Sequence, residues 1–397
     1  MVEVTIDKRV NRSNHVEKKW LWAYLLHNLT CKKPFESDFL AIVPHSDSRV
    51  QEIALRSHLY RCLIDNFTDQ MGSKRYPSIL LVREDAPQAV RQIDAVVSFR
   101  NLVALSCVIY GRQQSIAGPN VWGTLYTDYF DFYPTTVSED GTSARTLSPA
   151  WDSFGYPREI RGQTSPGLPS TESLGSIEAD EQLLQFLMEA WADLYAGSKR
   201  FESEGTALFR SLQVAYLAAA MPISNERSIH DYGTKVALWV SAFEILAHPA
   251  ARGGTGKADF ERVKDLLEKK SWSKNELREC KYSVTFRGKT FNVNLIVSLY
   301  WDLYRARNDF LHGNPVSFDS LFPFNDVSRP PLPGFAPLIY KAALMGYLQQ
   351  LGFQLEEPEP DMLTMPLPNP AFDRAVARAL KRMPFERAIL TAIQHPT

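Results

Sequence analysis

Apolar residues recur along this chain in two patterns. In the second half they fall three and four apart almost without interruption, the spacing of one helix face. The pattern predicts helices over "DEQLLQFLMEAWADLYAGS" (180–198), "ESEGTALFRSLQVAYLAAAM" (202–221), "HDYGTKVALWVSAFEILAH" (230–248), "KADFERVKDLLEKKSW" (257–272), "NVNLIVSLYWDLYRARNDFLH" (292–312) and "APLIYKAALMGYLQQLG" (336–352). Between the fourth and fifth, "KYSVTFRGKTFNVN" (281–294) predicts a hairpin turned at Arg287-Gly288. The first half is mixed. Helical spacing runs through "EKKWLWAYLLHNL" (17–29), "SRVQEIALRSHLYRCLIDNF" (48–67) and "AVRQIDAVVSFRNLVALSCVIYGR" (89–112). The short apolar run "PSILLVRED" between Pro77 and Pro87 predicts a buried strand.

Turn-rich stretches divide these patterns. "RGQTSPGLPSTESLGS" (161–176) is the boundary candidate, expected to be exposed, with a domain after it that folds alone. "EEPEPDMLTMPLPNP" (356–370) reads as a Pro-rich linker, followed by a short basic helical tail. The expected organisation is 1–175, a mixed α/β N-terminal domain; 176–355, a helical bundle; and 356–397, linker and tail. The fold class is mostly α.

Length supports two domains, and 45% hydrophobic with 22% charged residues is an ordinary globular composition. With 44 Lys and Arg against 45 Asp and Glu, no global basic excess marks a nucleic-acid binder. Any such surface has to be local. Cys31, Cys62, Cys107 and Cys280 are dispersed, which argues against a zinc site and a disulfide framework. The polar N-terminus has no signal-peptide core, and no run of about 18 apolar residues exists. The expectation is a soluble cytoplasmic protein with no membrane partner.

Several candidate motifs carry little. "ARGGTGKAD" (251–259) has Ala251 and Ala258 where a phosphate loop needs Gly and Ser or Thr, so it reads as a helix connection. His15, His27, His45, His58, His230, His248 and His395 form no metal-ligand spacing. Asp128 and Asp131 fix no acid–base geometry.

"YRARNDFLHGNP" (304–315) carries more. On a helical wheel Ile296, Leu299, Tyr300, Leu303, Phe310 and Leu311 form an apolar stripe with Arg307 inside it. An unpaired buried guanidinium costs several kcal/mol, so Arg307 must meet an anion, a groove or a subunit interface. Arg305, Asn308 and His312 lie on another side, Asn308 and His312 four apart. One reading is a helix end: Arg and His suit the helix dipole, and Gly313 and Pro315 stop the helix. The other is an active site.

"RNDFLHG" resembles the signature of HEPN domains, an Arg, a polar neighbour and a His four to six residues after the Arg at a helix end. "ALWVSAFEILAHPA", "KADFERVKDLLEKKSW" and "VSLYWDLYRARNDFLHG" resemble successive helices of the HEPN domains of ApeA-like phage-defence proteins. The resemblance covers about 180–355. It implies a metal-independent endoribonuclease with no cofactor, cutting RNA by 2′-OH attack, with Arg307, Asn308 and His312 as its catalytic residues. His suits proton transfer near neutral pH, and Arg offers a planar fork to phosphate. Asn308 would orient His312 or bind a phosphate oxygen. Arg305 and Glu244 are supporting candidates, Glu244 as an anion for either arginine. The resemblance also implies a homodimer with two motifs lining one cleft, and a role as an abortive-infection effector answering a phage-derived trigger or a regulatory protein. The tyrosine that is nucleotidylated in some HEPN toxins would stand two after the His, where this chain has Asn314. The alternative is a non-catalytic HEPN module that binds RNA or a protein partner. A third reading is a helical regulator in which the pair only caps a helix.

Overall fold

A computed structural model describes residues 19–69, 72–116, 125–133, 135–146, 160–161, 171, 177–197, 202–220, 228–248, 258–353 and 383–394. The Pro-rich stretch 356–370 and the 251–257 part of the glycine-rich connection lie outside them, as do His15 and His395.

The N-terminal part is built on an antiparallel sheet of order β1-β5-β3-β2: Trp20–Leu26, Ser78–Arg83, Leu40–Val43 and Phe35–Glu36. Successive strand side chains point to opposite faces, and both faces are covered here. Ala41, Val43, Ile79 and Leu81 enter a small core with α1 (Ser48–Arg56) and α2 (His58–Asp65). Leu40, Ile42 and Leu80 enter the main core with α3 (Ile93–Ser115). Smaller pairings are β4 (Phe67–Thr68) with β8 (Ile160–Arg161), and β6 (Thr135–Val137) with β7 (Ala144–Thr146).

The segment 17–29 yields a strand, not a helix. A bulge between Trp22 and Tyr24 interrupts the alternation, so the buried residues Trp22, Leu25 and Leu26 fall at a helix-like spacing. The helix over 48–67 is two helices. Ser57 between them is extended and caps the second through a hydrogen bond from the Leu59 N–H.

The bundle follows: α4 (Glu181–Ala196), α5 (Glu202–Ala218), α6 (Ile229–Leu246), α7 (Phe260–Glu268), α8 (Asn275–Arg278), α9 (Leu295–His312) and α10 (Leu332–Gln350). The hairpin is present as β9 (Tyr282–Phe286) and β10 (Lys289–Val293). Arg287 and Gly288 both have positive φ, 49° and 78°, the conformation of a two-residue hairpin turn whose twist matches its strands. Mostly α holds as the fold class.

The apolar core is continuous across residue 176. Helix α3 packs on α4, α5 and α10, with Phe99, Leu102 and Leu105 fully buried among bundle residues such as Trp191 and Leu212. It is long and apolar enough to cross a membrane by composition alone, but 78% of its most apolar window is buried. The expected exposed linker is described only at Arg161 and Thr171. Thr171 is buried, its hydroxyl oxygen accepting the Thr30 N–H at 2.9 Å. The expected tail also joins the core. Helix α11 (Phe385–Gln394) buries Phe385, Ala388 and Ile389. Its Glu386 accepts hydrogen bonds from the Ser273 N–H, the Ser273 hydroxyl and the Lys274 N–H at 2.9, 2.7 and 2.8 Å. A buried carboxylate so furnished costs little to desolvate.

Candidate functional site

Helix α9 carries the motif. Asn294 caps its start, accepting the Val297 N–H at 3.0 Å. Gly313, left-handed at φ 70°, stops it, and the Gly313 and Asn314 N–H groups both return to the Asp309 carbonyl. His312 is therefore the last helical residue, and it is exposed.

Helices α6 and α9 run antiparallel. Phe310 rests on Gly233 near the start of α6, and Tyr300 on Phe243 near its end, ring centroids 5.0 Å apart. Side chains lean toward the N-terminus of their own helix. In an antiparallel pair, Glu244 and Arg307 consequently lean toward each other, and Arg307 Nη2 stands 3.3 Å from Glu244 Oε2. The second terminal nitrogen of Arg307 donates to Asn308 Oδ1 at 2.8 Å. Of the anion, groove or subunit interface that the wheel left open for Arg307, the chain itself supplies an anion. Burial pushes the Glu244 carboxyl up, Arg307 pulls it down, and the nearby Asp259 carboxylate pushes it up again, with a net rise. Arg307 Nε and the Tyr300 hydroxyl are buried beside this pair without a hydrogen-bond partner among the described residues.

The other candidates separate from Arg307. Arg305, exposed, pairs with Asp302 at 3.4 Å. Asp302 is itself buried and accepts the Phe324 N–H at 3.0 Å. Burial raises its carboxyl, partly offset by that hydrogen bond and by Arg305. Asn308 turns its carbonyl oxygen to Arg307, where the sequence placed it beside His312. Leu311 is not part of the buried stripe: it is 59% exposed. It lies between Arg307 and His312 around the helix, so the two motif side chains flank an exposed leucine. Phe318, also exposed, follows shortly after in the chain.

Sequence reasoning missed Asp302 and Tyr300. Asp302 had a signal, a carboxylate three before Arg305 on a helix. Tyr300 read only as core. Among the described residues no three His, Cys, Asp or Glu side chains gather closely enough to hold a metal ion. A cleft of about 200 Å³ lies elsewhere, lined by Glu204, His248, Arg262, Asp265, Lys269 and Tyr347 among others, and none of the motif residues borders it.

No protein-family model, curated protein or solved structure matches this chain.

Proposed function

We propose that the chain is a metal-independent endoribonuclease of HEPN type that acts as a homodimer. The observation that carries this is the end of α9. An exposed imidazole sits on its last turn, and an arginine one turn earlier is fixed by a carboxylate from the adjacent helix. In the proposed reaction His312 takes the proton from an RNA 2′-OH as its oxygen attacks the adjacent phosphorus. The 5′-oxygen leaves and takes a proton from the second motif. The products are a 2′,3′-cyclic phosphate and a 5′-hydroxyl. Arg307 neutralises the phosphorane through the part of its guanidinium that reaches solvent, the Glu244 carboxylate holding it in place. Pairing two copies through Leu311 would cover an exposed leucine and bring both motifs to one cleft. The biological setting this fits is an abortive-infection effector in the cytoplasm, held in check until a phage-derived trigger or regulatory protein releases it.

A second reading is favoured by the Arg307–Glu244 pair. An arginine already neutralised inside its chain is also what a non-catalytic HEPN module, binding RNA or a protein partner, would show. One experiment separates the two: incubate the purified protein with RNA in EDTA and examine the ends. Cyclic phosphate termini that vanish with His312→Ala support the ribonuclease. Intact RNA, or cleavage that needs magnesium, overturns it.

A further inference from the structure

The face of α9 opposite its core is neither apolar nor randomly polar. Trp301, Arg305, Asn308 and His312 follow one another at spacings of four, three and four, and Tyr304 stands three after Trp301 and four before Asn308, so all five lie along one stripe about 16 Å long. Its first part touches the β9–β10 hairpin. Phe286 meets Tyr304 edge-on at 5.9 Å, and Trp301 and Tyr304 lie nearly parallel, centroids 5.9 Å apart at 21°. Both rings are half-buried and rest against Phe260.

The hairpin turn places cations around Phe286, the ring that meets Trp301 and Tyr304. Lys289 stands across the ladder from Phe286, on the same face, and is exposed. Arg287 is held over Phe286 at 4.8 Å and by Asp259 at 3.0 Å, yet its side chain is 68% exposed. Arg305 is likewise tethered from below and 44% exposed. The carboxylates that tether the two arginines lie deeper, Asp259 at 22% and Asp302 at 8%. The positive groups therefore face solvent while the neutralising ones face inward. Stacking surface interleaved with outward cations is the arrangement that holds a single-stranded nucleic acid.

We propose that the hairpin tip and the outward stripe of α9 form a track for single-stranded RNA that ends at His312, with Trp301 and Tyr304 as a stacking platform and Arg287, Lys289 and Arg305 as phosphate contacts. The proposal rests on the ribonuclease reading for the choice of RNA. It adds where the strand lies and which element selects unpaired RNA over duplex: bases in a helix cannot reach the rings.

The test uses the full-length His312→Ala protein, so that bound RNA is not cut, and a fluorescent single-stranded RNA. The variants Lys289→Glu and Arg287→Gln plus Lys289→Glu are added, with thermal melting as a check that each folds. The expected result is a tenfold or greater loss of affinity for the double variant. Its plot of log affinity against log salt is expected to be shallower by about one to two. A duplex of the same sequence is expected to bind much more weakly to the unsubstituted hairpin. Equal affinity of the folded hairpin variants for RNA overturns the track and leaves the ribonuclease reading standing. Hairpin-dependent binding by a protein whose wild type cuts no RNA keeps the track and overturns the ribonuclease. No RNA binding by any form overturns both.

Discussion

His312 and Arg307 differ in what surrounds them, and that sets different expectations for their substitution. His312 is exposed and makes no hydrogen bond or ion pair among the described residues, so His312→Ala is expected to leave the melting temperature unchanged. On the proposed mechanism it lowers cleavage by about 10²- to 10⁴-fold, the range for a proton-transfer group. A comparable loss in melting temperature would point to a structural residue instead. Arg307→Ala leaves Glu244 half-buried without its cation, so it is expected to cost stability as well as activity. Glu244 also gives a pH signature. Its proton is held more tightly in the folded chain than in the unfolded one. Its stabilising share is complete below the ordinary carboxylate range and lost as pH rises through the raised value. Glu244→Gln has no such loss. The stability difference, variant minus wild type, is expected to move in favour of the variant between pH 4 and pH 7. Melting curves at both values check this, and a difference that moves the other way contradicts the direction of the Glu244 shift. The need of Arg307 for an anion, a groove or an interface was legible in the sequence, because a charge inside an apolar stripe has few solutions; which of the three was not. The exposure of Leu311 was not: the wheel assumes that a helix is covered along its whole length.

At the scale of elements, close helix contacts decide what can be changed. A Cβ on Gly233 would stand 2.2 Å from the Phe310 ring, and one on Gly346 would stand 2.3 Å from the Leu266 carbonyl oxygen. Gly233→Ala has to displace a side chain, and Gly346→Ala has to displace backbone. Gly346→Ala is expected to be the more damaging, by about 1–3 kcal/mol as for other overpacked sites, read as a fall of a few degrees in melting temperature. Equal melting of the two variants would mean that α7 and α10 separate easily. The helices α4 to α7, α9 and α10 were readable because their apolar residues recur at a steady period, and the hairpin because Arg-Gly can take two positive φ angles; the four-residue α8 was too short to show a period. Strand β1 was misread because a bulge is a tertiary adaptation to its neighbour β5, and nothing in "WLWAYLL" announces it. The boundary at 176 was drawn on composition, which reports where a chain turns and not which helices share a core.

For the molecule as a whole, the shared core makes a firm statement about fragments. A piece beginning at residue 176 lacks α3 and would expose the surfaces of α4, α5 and α10 that α3 covers. It is expected to be insoluble, whereas a piece beginning near residue 88 keeps α3 and is expected to fold with an incomplete outer face where the sheet is removed. Expression and circular dichroism of both pieces check this, and a soluble, helical 176–397 fragment would restore the separate domain. Assembly has its own test. Leu311→Asp puts a charge at the centre of the proposed dimer contact and is expected to give a folded monomer that cuts no RNA, measured by light scattering alongside the cleavage assay. A fully active monomer contradicts the paired site. The position of α3 in the chain has a consequence for how the protein is made. It leaves the ribosome after the sheet that covers one of its sides and well before α4, α5 and α10, which cover the other. During that interval the nascent chain displays its most apolar helix half-dressed, in competition between chaperones, membrane-targeting factors and neighbouring nascent chains. Slowing translation after residue 115 would lengthen that interval and lower the yield of folded protein, while leaving the stability of finished molecules untouched.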